Sequence, residues 1–222
     1  MRIDEIGKAI DSMGIFTGGP AELFESAGRL QFYSLVREGL CPYSKLIDIG
    51  CGCLRAGYWL IRFLDPGCYF GTEPNAKMLQ VGIETCLTPA IVATKQPRFE
   101  NNDRFDLSVF GTTFDVFLAR SIWSHASKQQ IQLMLDGFAR FSNPGGFFLT
   151  SYLPASFRRP SYEGSAWIGR SHQSDKPGMI RHSRRWIEAE CVRRGLILEQ
   201  LPEKPFASQY WLKIVNRKSP TN

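Results

Sequence analysis

The chain has 222 residues, a formal net charge of +6 and 43% hydrophobic residues. This length suffices for one α/β domain with a substantial core, and no run of about 18 apolar residues predicts a membrane-spanning helix. The six cysteines are scattered without C-x-x-C or paired histidine spacing, so the sequence predicts neither a disulfide framework nor a bound metal. Charged residues interrupt the first turns of the chain, which argues against a secretory leader and leads us to expect a cytoplasmic protein.

We expect a single domain over residues 1–222, in which residues 1–40 form an N-terminal helical cap. From Ala21 to Glu38, apolar residues recur close to a 3.6-residue period, and Gly39 ends the predicted helix. We expect this helix to cover a ligand site.

A short apolar strand, predicted over Lys45 to Ile49, leads into a glycine-rich turn. Gly50 and Gly52 have no side chains, so the backbone can pass close to a ligand there. A helix predicted from Leu54 to Phe63 follows and would aim its free backbone N–H groups at that ligand.

A second strand, predicted over Cys68 to Thr72, ends at Glu73. A carboxylate about 20 residues beyond a glycine turn is placed to accept hydrogen bonds from ribose hydroxyls. The NAD fingerprint G-x-G-x-x-G is not met, because Arg55 stands at its third glycine. Asp48 would repel a pyrophosphate and attract an ammonium group, so the layout favours a nucleoside that carries an ammonium.

The rest of the chain alternates between predicted strands and helices, which indicates a parallel sheet covered on both faces. The last two strands are expected to form an antiparallel hairpin at one edge. The further strands are predicted at about Arg98 to Asn101, Asp115 to Ala119, Gly146 to Ser151, Ile197 to Leu201 and Gln209 to Val215, and the further helices at Asn75 to Thr85, Lys128 to Phe141 and Arg184 to Arg194.

Five motifs in this order resemble the class I S-adenosylmethionine-dependent methyltransferases. The first motif of that family, an acidic residue before Gly-x-Gly and a further glycine, is matched by Asp48, Gly50, Gly52 and Gly57. Glu73 matches the acidic residue that binds the ribose in the family. The other three segments are Asn102 to Phe105, Phe114 to Ser121 and Asn143 to Leu149.

The resemblance runs from about residue 28 to the C-terminus and implies an α/β, Rossmann-like fold. The implied sheet has seven mostly parallel strands, with helices on both faces and an antiparallel edge strand. S-adenosyl-L-methionine is the implied cofactor, and the residues that would hold it are Asp48, Gly50, Cys51, Gly52, Gly57, Glu73, Pro74, Asp103, Phe105, Arg120 and Ser121.

Several of these assignments keep an alternative. Asp106 could replace Asp103 as the adenine contact, and Arg120 and Ser121 could be ordinary strand-end residues. Arg55 lies where a helix begins, which is an electrostatically poor place for a cation and hints at a functional or ion-paired role.

Methyl transfer from a sulfonium requires alignment, water exclusion and removal of a proton from the acceptor. His125, a few residues past the fourth strand, is the predicted general base, and the alternative is a histidine that packs against or caps the next helix. Residues 151–182 form a long segment rich in Pro, Gly, Ser and Arg, which we expect to be an inserted substrate lid. The predicted substrate contacts are Trp123, Arg170, His172 and Arg181.

The positive charge is concentrated in the last third of the chain. Residues 1–150 carry 14 lysines and arginines against 15 acidic residues, whereas residues 151–222 carry 13 against 6. Basic and aromatic residues together suit an anionic or glycosylated substrate, or nucleic acid, although a solvated basic surface explains them equally well.

We therefore expect methyl transfer to a small-molecule acceptor, most simply a hydroxyl of a sugar or specialised metabolite. The alternatives are an RNA methyltransferase, a cofactor-binding scaffold without turnover, and an NAD-dependent reductase. The sequence leaves a homo-oligomer open and indicates neither a membrane nor a nucleic-acid partner.

Overall fold

The computed structural model describes residues 3–169, 178–203 and 208–216. Its strands form one seven-stranded sheet in the order β3-β2-β1-β4-β5-β7-β6. They are β1 (Leu46–Ile49), β2 (Tyr69–Thr72), β3 (Arg98–Glu100), β4 (Phe114–Ala119), β5 (Ser142–Tyr152), β6 (Leu196–Gln200) and β7 (Tyr210–Asn216). The Rossmann-like sheet and the antiparallel hairpin predicted from the sequence are confirmed.

The α-helices are α1 (Ile3–Ser12), α2 (Phe24–Arg37), α3 (Gly57–Phe63), α4 (Ala76–Cys86), α5 (Pro89–Lys95), α6 (Lys128–Phe141) and α7 (Arg184–Arg193), with short 3-10 helices at Ala21–Leu23 and Ser108–Phe110. The chain divides into two compact units, Met1–Asp103 and Arg104–Asn222, which we call the first and second units.

In the first unit, β1 pairs in parallel with β2, and β2 pairs in parallel with β3. Every residue of β1 and β2 is buried, as expected of short apolar runs inside a covered parallel sheet. In the register of this pair, Asp48 lies opposite Gly71. The carboxyl end of β1 is thereby held beside the buried strand β2.

In the second unit, β4 pairs in parallel with β5, and β7 runs antiparallel to both β5 and β6. Helix α6 has the bounds predicted from the sequence, because Ser127 and Gln130 form a capping box at its first turn. Its buried face, which includes Phe138, packs near the aromatic rings of Phe117 and Phe148, whose centroids lie 5.0 and 5.8 Å from that of Phe138.

Helix α3 begins three residues later than predicted. Leu54 has a left-handed backbone with φ 63°, so the chain is still turning there and cannot yet be helical. Helix α5 was not predicted as a helix, although Thr88 caps it and Pro89 occupies its first turn. None of its residues is buried, so it has no apolar stripe for sequence reasoning to detect.

No helix within the described ranges is both long and apolar enough to cross a membrane. The same residues contain no group of three or more His, Cys, Asp or Glu side chains that could hold a metal ion.

Candidate functional site

The glycine turn after β1 belongs to the first unit and is held by backbone bonds. The N–H groups of Gly50 and Cys51 both donate to the carbonyl oxygen of Thr72, at 2.8 and 3.0 Å. Gly50 and Gly52 have φ values of 72° and 56°, which a glycine adopts at little cost. A Cβ on Gly71 would lie 2.9 Å from the Cys51 sulfur, so β2 also needs a residue without a side chain at this position.

Glu73 follows β2 and is bonded to this turn. Its carboxylate oxygens accept the N–H of Gly52 at 3.1 Å and the N–H of Asn75 at 2.9 Å. Only 3% of Glu73 is exposed, and burial raises the pKa of its carboxyl although both N–H donors favour the charged form. The predicted ribose-binding residue is therefore a buried carboxylate beside the second glycine.

Asp48 is a second buried carboxylate in the same unit. It accepts a hydrogen bond from the Tyr69 hydroxyl at 2.9 Å and is 4% exposed. Burial raises the pKa of Asp48 to about 7, the bond from Tyr69 opposes the rise, and the charge of Glu73 adds to it. A site with two such carboxylates favours a ligand that brings positive charge.

Gly57 does not act as a third turn glycine. The third left-handed residue of the turn is Leu54, whereas Gly57 starts helix α3. A Cβ on Gly57 would lie 3.0 Å from the Tyr69 hydroxyl oxygen, so this glycine makes room for the tyrosine that bonds to Asp48.

The other residues predicted to contact the cofactor in this region are Pro74, Asp103 and Phe105, with Asp106 as the alternative to Asp103. Pro74 is half-buried and Asp103 is exposed. Phe105 is half-buried with a left-handed φ of 56°. Asp106 accepts both the N–H and the hydroxyl of Ser108, at 2.9 and 2.6 Å, and so caps a short turn.

In the second unit, Arg120 and Ser121 belong to a polar network at the end of β4. The Arg120 guanidinium donates to the Ser121 hydroxyl, to the Ser151 hydroxyl at 3.0 Å and to the Gln209 amide oxygen at 2.7 Å. Gln209 in turn donates to the Ser121 hydroxyl at 2.8 Å, and Ser121 itself has a φ of 61°. This network joins the end of β4 to β5 and to the residue before β7.

Trp123, which was predicted to contact substrate, lies in the core of the second unit. Its side chain is fully buried, and its ring lies edge to face with Phe148 at 5.8 Å between centroids.

His125 is partly buried beneath the segment that follows β5. Its Nδ1 lies 2.6 Å from the Ile168 carbonyl oxygen, and its ring stacks on Trp167 at 5.7 Å. Burial lowers the pKa of His125, against the raising effect of the Ile168 and Gly178 backbone groups. The imidazole is therefore neutral near pH 7, as a general base must be.

Two of the four predicted substrate contacts, Arg170 and His172, lie outside the described residues. Arg181 donates to the Pro154 carbonyl at 2.9 Å and is half-buried. His182, beside it, is fully buried, with Nε2 3.0 Å from the Ala126 carbonyl oxygen. Arg181 and His182 thus fasten the segment that was predicted to form a lid.

His182 is expected to make the protein less stable in mild acid. Burial lowers the pKa of His182 below its ordinary 6.5, so the unfolded chain takes up a proton more readily than the folded chain. The contribution of His182 to the free energy of unfolding should fall as the pH drops below about 6.5. In urea unfolding at pH 7.5, 6.5 and 5.5, His182→Gln, whose amide can still donate to Ala126, should gain stability relative to the wild type as the pH falls; a difference between the two proteins that stays constant with pH would contradict this.

Comparisons with known proteins place the chain by its fold. No family model matches the sequence, and no curated protein matches it. Among solved structures, magnesium protoporphyrin IX methyltransferase from Synechocystis PCC 6803 with bound SAM is similar at a TM-score of 0.62 and 16% identity, over 86% of this chain and 78% of that one. The DhpI complex with SAH has a TM-score of 0.64 at 11% identity, over 98% and 100%.

The glycopeptide N-methyltransferase MtfA has a TM-score of 0.60 at 16% identity, over 86% of this chain and 89% of that one. The fold is therefore that of the class I S-adenosylmethionine-dependent methyltransferases, as the sequence motifs predicted.

Sequence reasoning missed the partners that hold the candidate residues in place. Asp48 lies opposite Gly71 in the sheet, and Tyr69 lies two positions before Gly71. Only the strand register shows that the side chains of Asp48 and Tyr69 meet. Ser151 and Gln209 join Arg120 from 31 and 89 residues away. No local signal in the sequence marks contacts of this kind.

Proposed function

We propose that this chain transfers a methyl group from S-adenosylmethionine to a small-molecule acceptor. The observation that carries the proposal is the pair of buried carboxylates, Asp48 and Glu73, beside a turn whose backbone is bare at Gly50 and Gly52. Such a site suits a ligand with ribose hydroxyls and a cationic amino-acid end. It suits a dinucleotide poorly, since a pyrophosphate would face the carboxylates.

Each of the two buried carboxylates would bind a different part of the cofactor. Glu73 would accept hydrogen bonds from the ribose hydroxyls, because each oxygen of a carboxylate can accept more than one hydrogen bond. Asp48 would face the ammonium group, whose charge would draw the pKa of Asp48 back towards its ordinary range. When bound there, the cofactor supplies a methyl group that is already activated on a sulfonium.

The favoured acceptor is a hydroxyl of a sugar or specialised metabolite. Support for it comes from His125, because a proton on Nδ1 that is donated to Ile168 leaves a lone pair on Nε2. That nitrogen can take the proton from an acceptor hydroxyl. The predicted lid, of which residues 170–177 lie outside the described ranges, would exclude water from the acceptor, which favours transfer.

Calorimetric titration of the purified chain with S-adenosylmethionine, S-adenosylhomocysteine and NADH, each alone, tests the donor. We expect both sulfur nucleosides to bind and NADH not to bind. Binding of NADH alone would overturn the proposal in favour of a reductase, whereas binding of the nucleosides without turnover of any acceptor screened with labelled methyl groups would favour a scaffold.

The base assignment predicts that His125→Asn lowers turnover and leaves cofactor affinity unchanged. Asparagine can keep a donor near the Ile168 carbonyl, so the local packing survives while the base is lost. General-base catalysis contributes on the order of 100-fold or more, and we expect a loss of that size in kcat. Full activity in the variant, measured with an acceptor from the screen, would assign the base elsewhere.

A further inference from the structure

Arg55 lies three residues beyond Gly52 and is enclosed by the first unit. Its guanidinium donates to the Thr17 carbonyl oxygen and lies over the Phe24 ring, with Cζ 5.7 Å from the ring centroid. Helix α2 packs closely on its backbone, because a Cβ on Gly28 would lie 2.2 Å from the Arg55 carbonyl oxygen. The arginine is thus fixed by the turn, a loop and a helix at once.

The loop over residues 14–20 runs beside the guanidinium. Cβ atoms on Gly18 and Gly19 would lie 3.5 and 3.4 Å from its nitrogens, and both glycines have left-handed φ values, of 77° and 152°. The loop also reaches the glycine turn itself, since the Cys53 sulfur lies 4.0 Å from the Phe16 carbonyl oxygen. Gly18 is exposed, so the guanidinium lies next to a part of the surface that a ligand can approach.

Within the described ranges, no carboxylate forms an ion pair with Arg55. Its Nε is buried and has no hydrogen-bond partner among the same residues. Burial lowers the pKa of the guanidinium, and the opposing influence of the Cys53 side chain is smaller. A guanidinium has five N–H donors in a planar fork, and a desolvated cation with so few of them satisfied is unfavourable without an anion.

Arg55 and Glu73 both act electrostatically on Cys53, the residue between Gly52 and Leu54. The glycine turn and its neighbours thus hold two carboxylates, Asp48 and Glu73, and one cation, Arg55, that has no carboxylate partner among the described residues. A zwitterionic amino acid would match this pattern, with its ammonium towards Asp48 and its carboxylate towards Arg55.

We infer that Arg55 binds the α-carboxylate at the amino-acid end of S-adenosylmethionine. This inference rests on the proposed function, because it takes the donor as given. The loop of residues 14–20 places the guanidinium, and the carboxylate completes its hydrogen bonds. Arg55 accordingly determines that the site accepts donors with a free carboxylate.

The test compares S-adenosylmethionine with its decarboxylated analogue, which keeps the adenosine, the sulfonium and the ammonium. Calorimetry would measure both ligands against the wild type, Arg55→Gln and Arg29→Gln. Arg29 lies on α2 and is paired with Glu25 at 2.8 Å, so its loss controls for the removal of one positive charge.

We expect Arg55→Gln to weaken S-adenosylmethionine binding roughly 10- to 100-fold, the range for loss of a charged hydrogen-bond partner. The same variant should bind the decarboxylated analogue as the wild type does, which also shows that its site is folded. Arg29→Gln should bind both ligands as the wild type does.

Other outcomes distinguish a failure of the role of Arg55 from a failure of the proposed function. If the wild type binds S-adenosylmethionine and Arg55→Gln binds it equally well, the role of Arg55 is overturned, whereas S-adenosylmethionine still stands as the donor. Equal weakening of both ligands would overturn it as well, since Arg55 would then only shape the turn. Failure of the wild type to bind either ligand would overturn the proposed function itself.

Discussion

Replacing Asp48 by asparagine should stabilise the ligand-free protein at neutral and alkaline pH. Burial raises the pKa of Asp48 from 3.8 to about 7, so the folded chain holds a proton that the unfolded chain has released. The contribution of Asp48 to stability therefore falls as the pH rises from about 4 to about 7 and is level above that. The shift corresponds to up to about 4 kcal/mol, and asparagine, which stays neutral, avoids this loss.

Urea unfolding of Asp48→Asn and the wild type at pH 4.5, 6, 7 and 8 would measure this difference. The advantage of the variant should be small at pH 4.5, grow up to about pH 7 and then stay constant. Tyr69 can still donate to the asparagine oxygen, so the buried hydrogen bond is kept. Asp11→Asn, on the exposed side of α1, controls for the loss of one negative charge.

The same substitution should weaken S-adenosylhomocysteine binding, because the ammonium loses its carboxylate partner. A group that is unfavourable in the free protein but is needed to bind a ligand typically behaves in this way: its removal raises stability and lowers affinity. A variant that is less stable than the wild type at pH 8 would show instead that the charged carboxylate is already well accommodated in the free protein.

Much of the fold could be predicted from the sequence because the sequence signals for helices and strands are local. Helix α6 has a capping box at Ser127 and a stripe of apolar residues at helical spacing, so both its start and its buried face could be predicted. The buried strands β1 and β2 are short apolar runs that end in turn residues. Each of these signals lies within a few positions of the element that it specifies.

The environment of the site could not be predicted in the same way. The Arg55 guanidinium meets the Thr17 carbonyl 38 residues away, and Asp48 meets Tyr69 across a strand pair. Leu54 adopts a left-handed conformation that its residue type disfavours, and only the surrounding packing imposes it. Residue identities indicated the ligand class, whereas burial and partners decide what each residue can do.

Removal of the Glu73 carboxylate should lower the affinity for S-adenosylhomocysteine. A ligand hydroxyl that loses a charged acceptor costs about 1.5 to 3 kcal/mol, which is roughly a 10- to 150-fold rise in Kd. Glu73→Ala is the informative change, because glutamine would set an amide NH₂ against the N–H of Gly52 or Asn75. Calorimetry at pH 7.5 would measure the affinity.

The control is Glu84→Ala, since Glu84 is exposed on α4 and accepts a hydrogen bond from Gln80 of the same helix. A thermal melt of each variant separates a weakened site from a loosened turn, because Glu73 also fixes the N–H groups of Gly52 and Asn75. If Glu73→Ala is folded at the assay temperature and binds as the wild type does, the ribose is held elsewhere. Because the ribose is common to S-adenosylmethionine and its decarboxylated analogue, Glu73→Ala should weaken both, whereas Arg55→Gln should weaken only the ligand with the carboxylate.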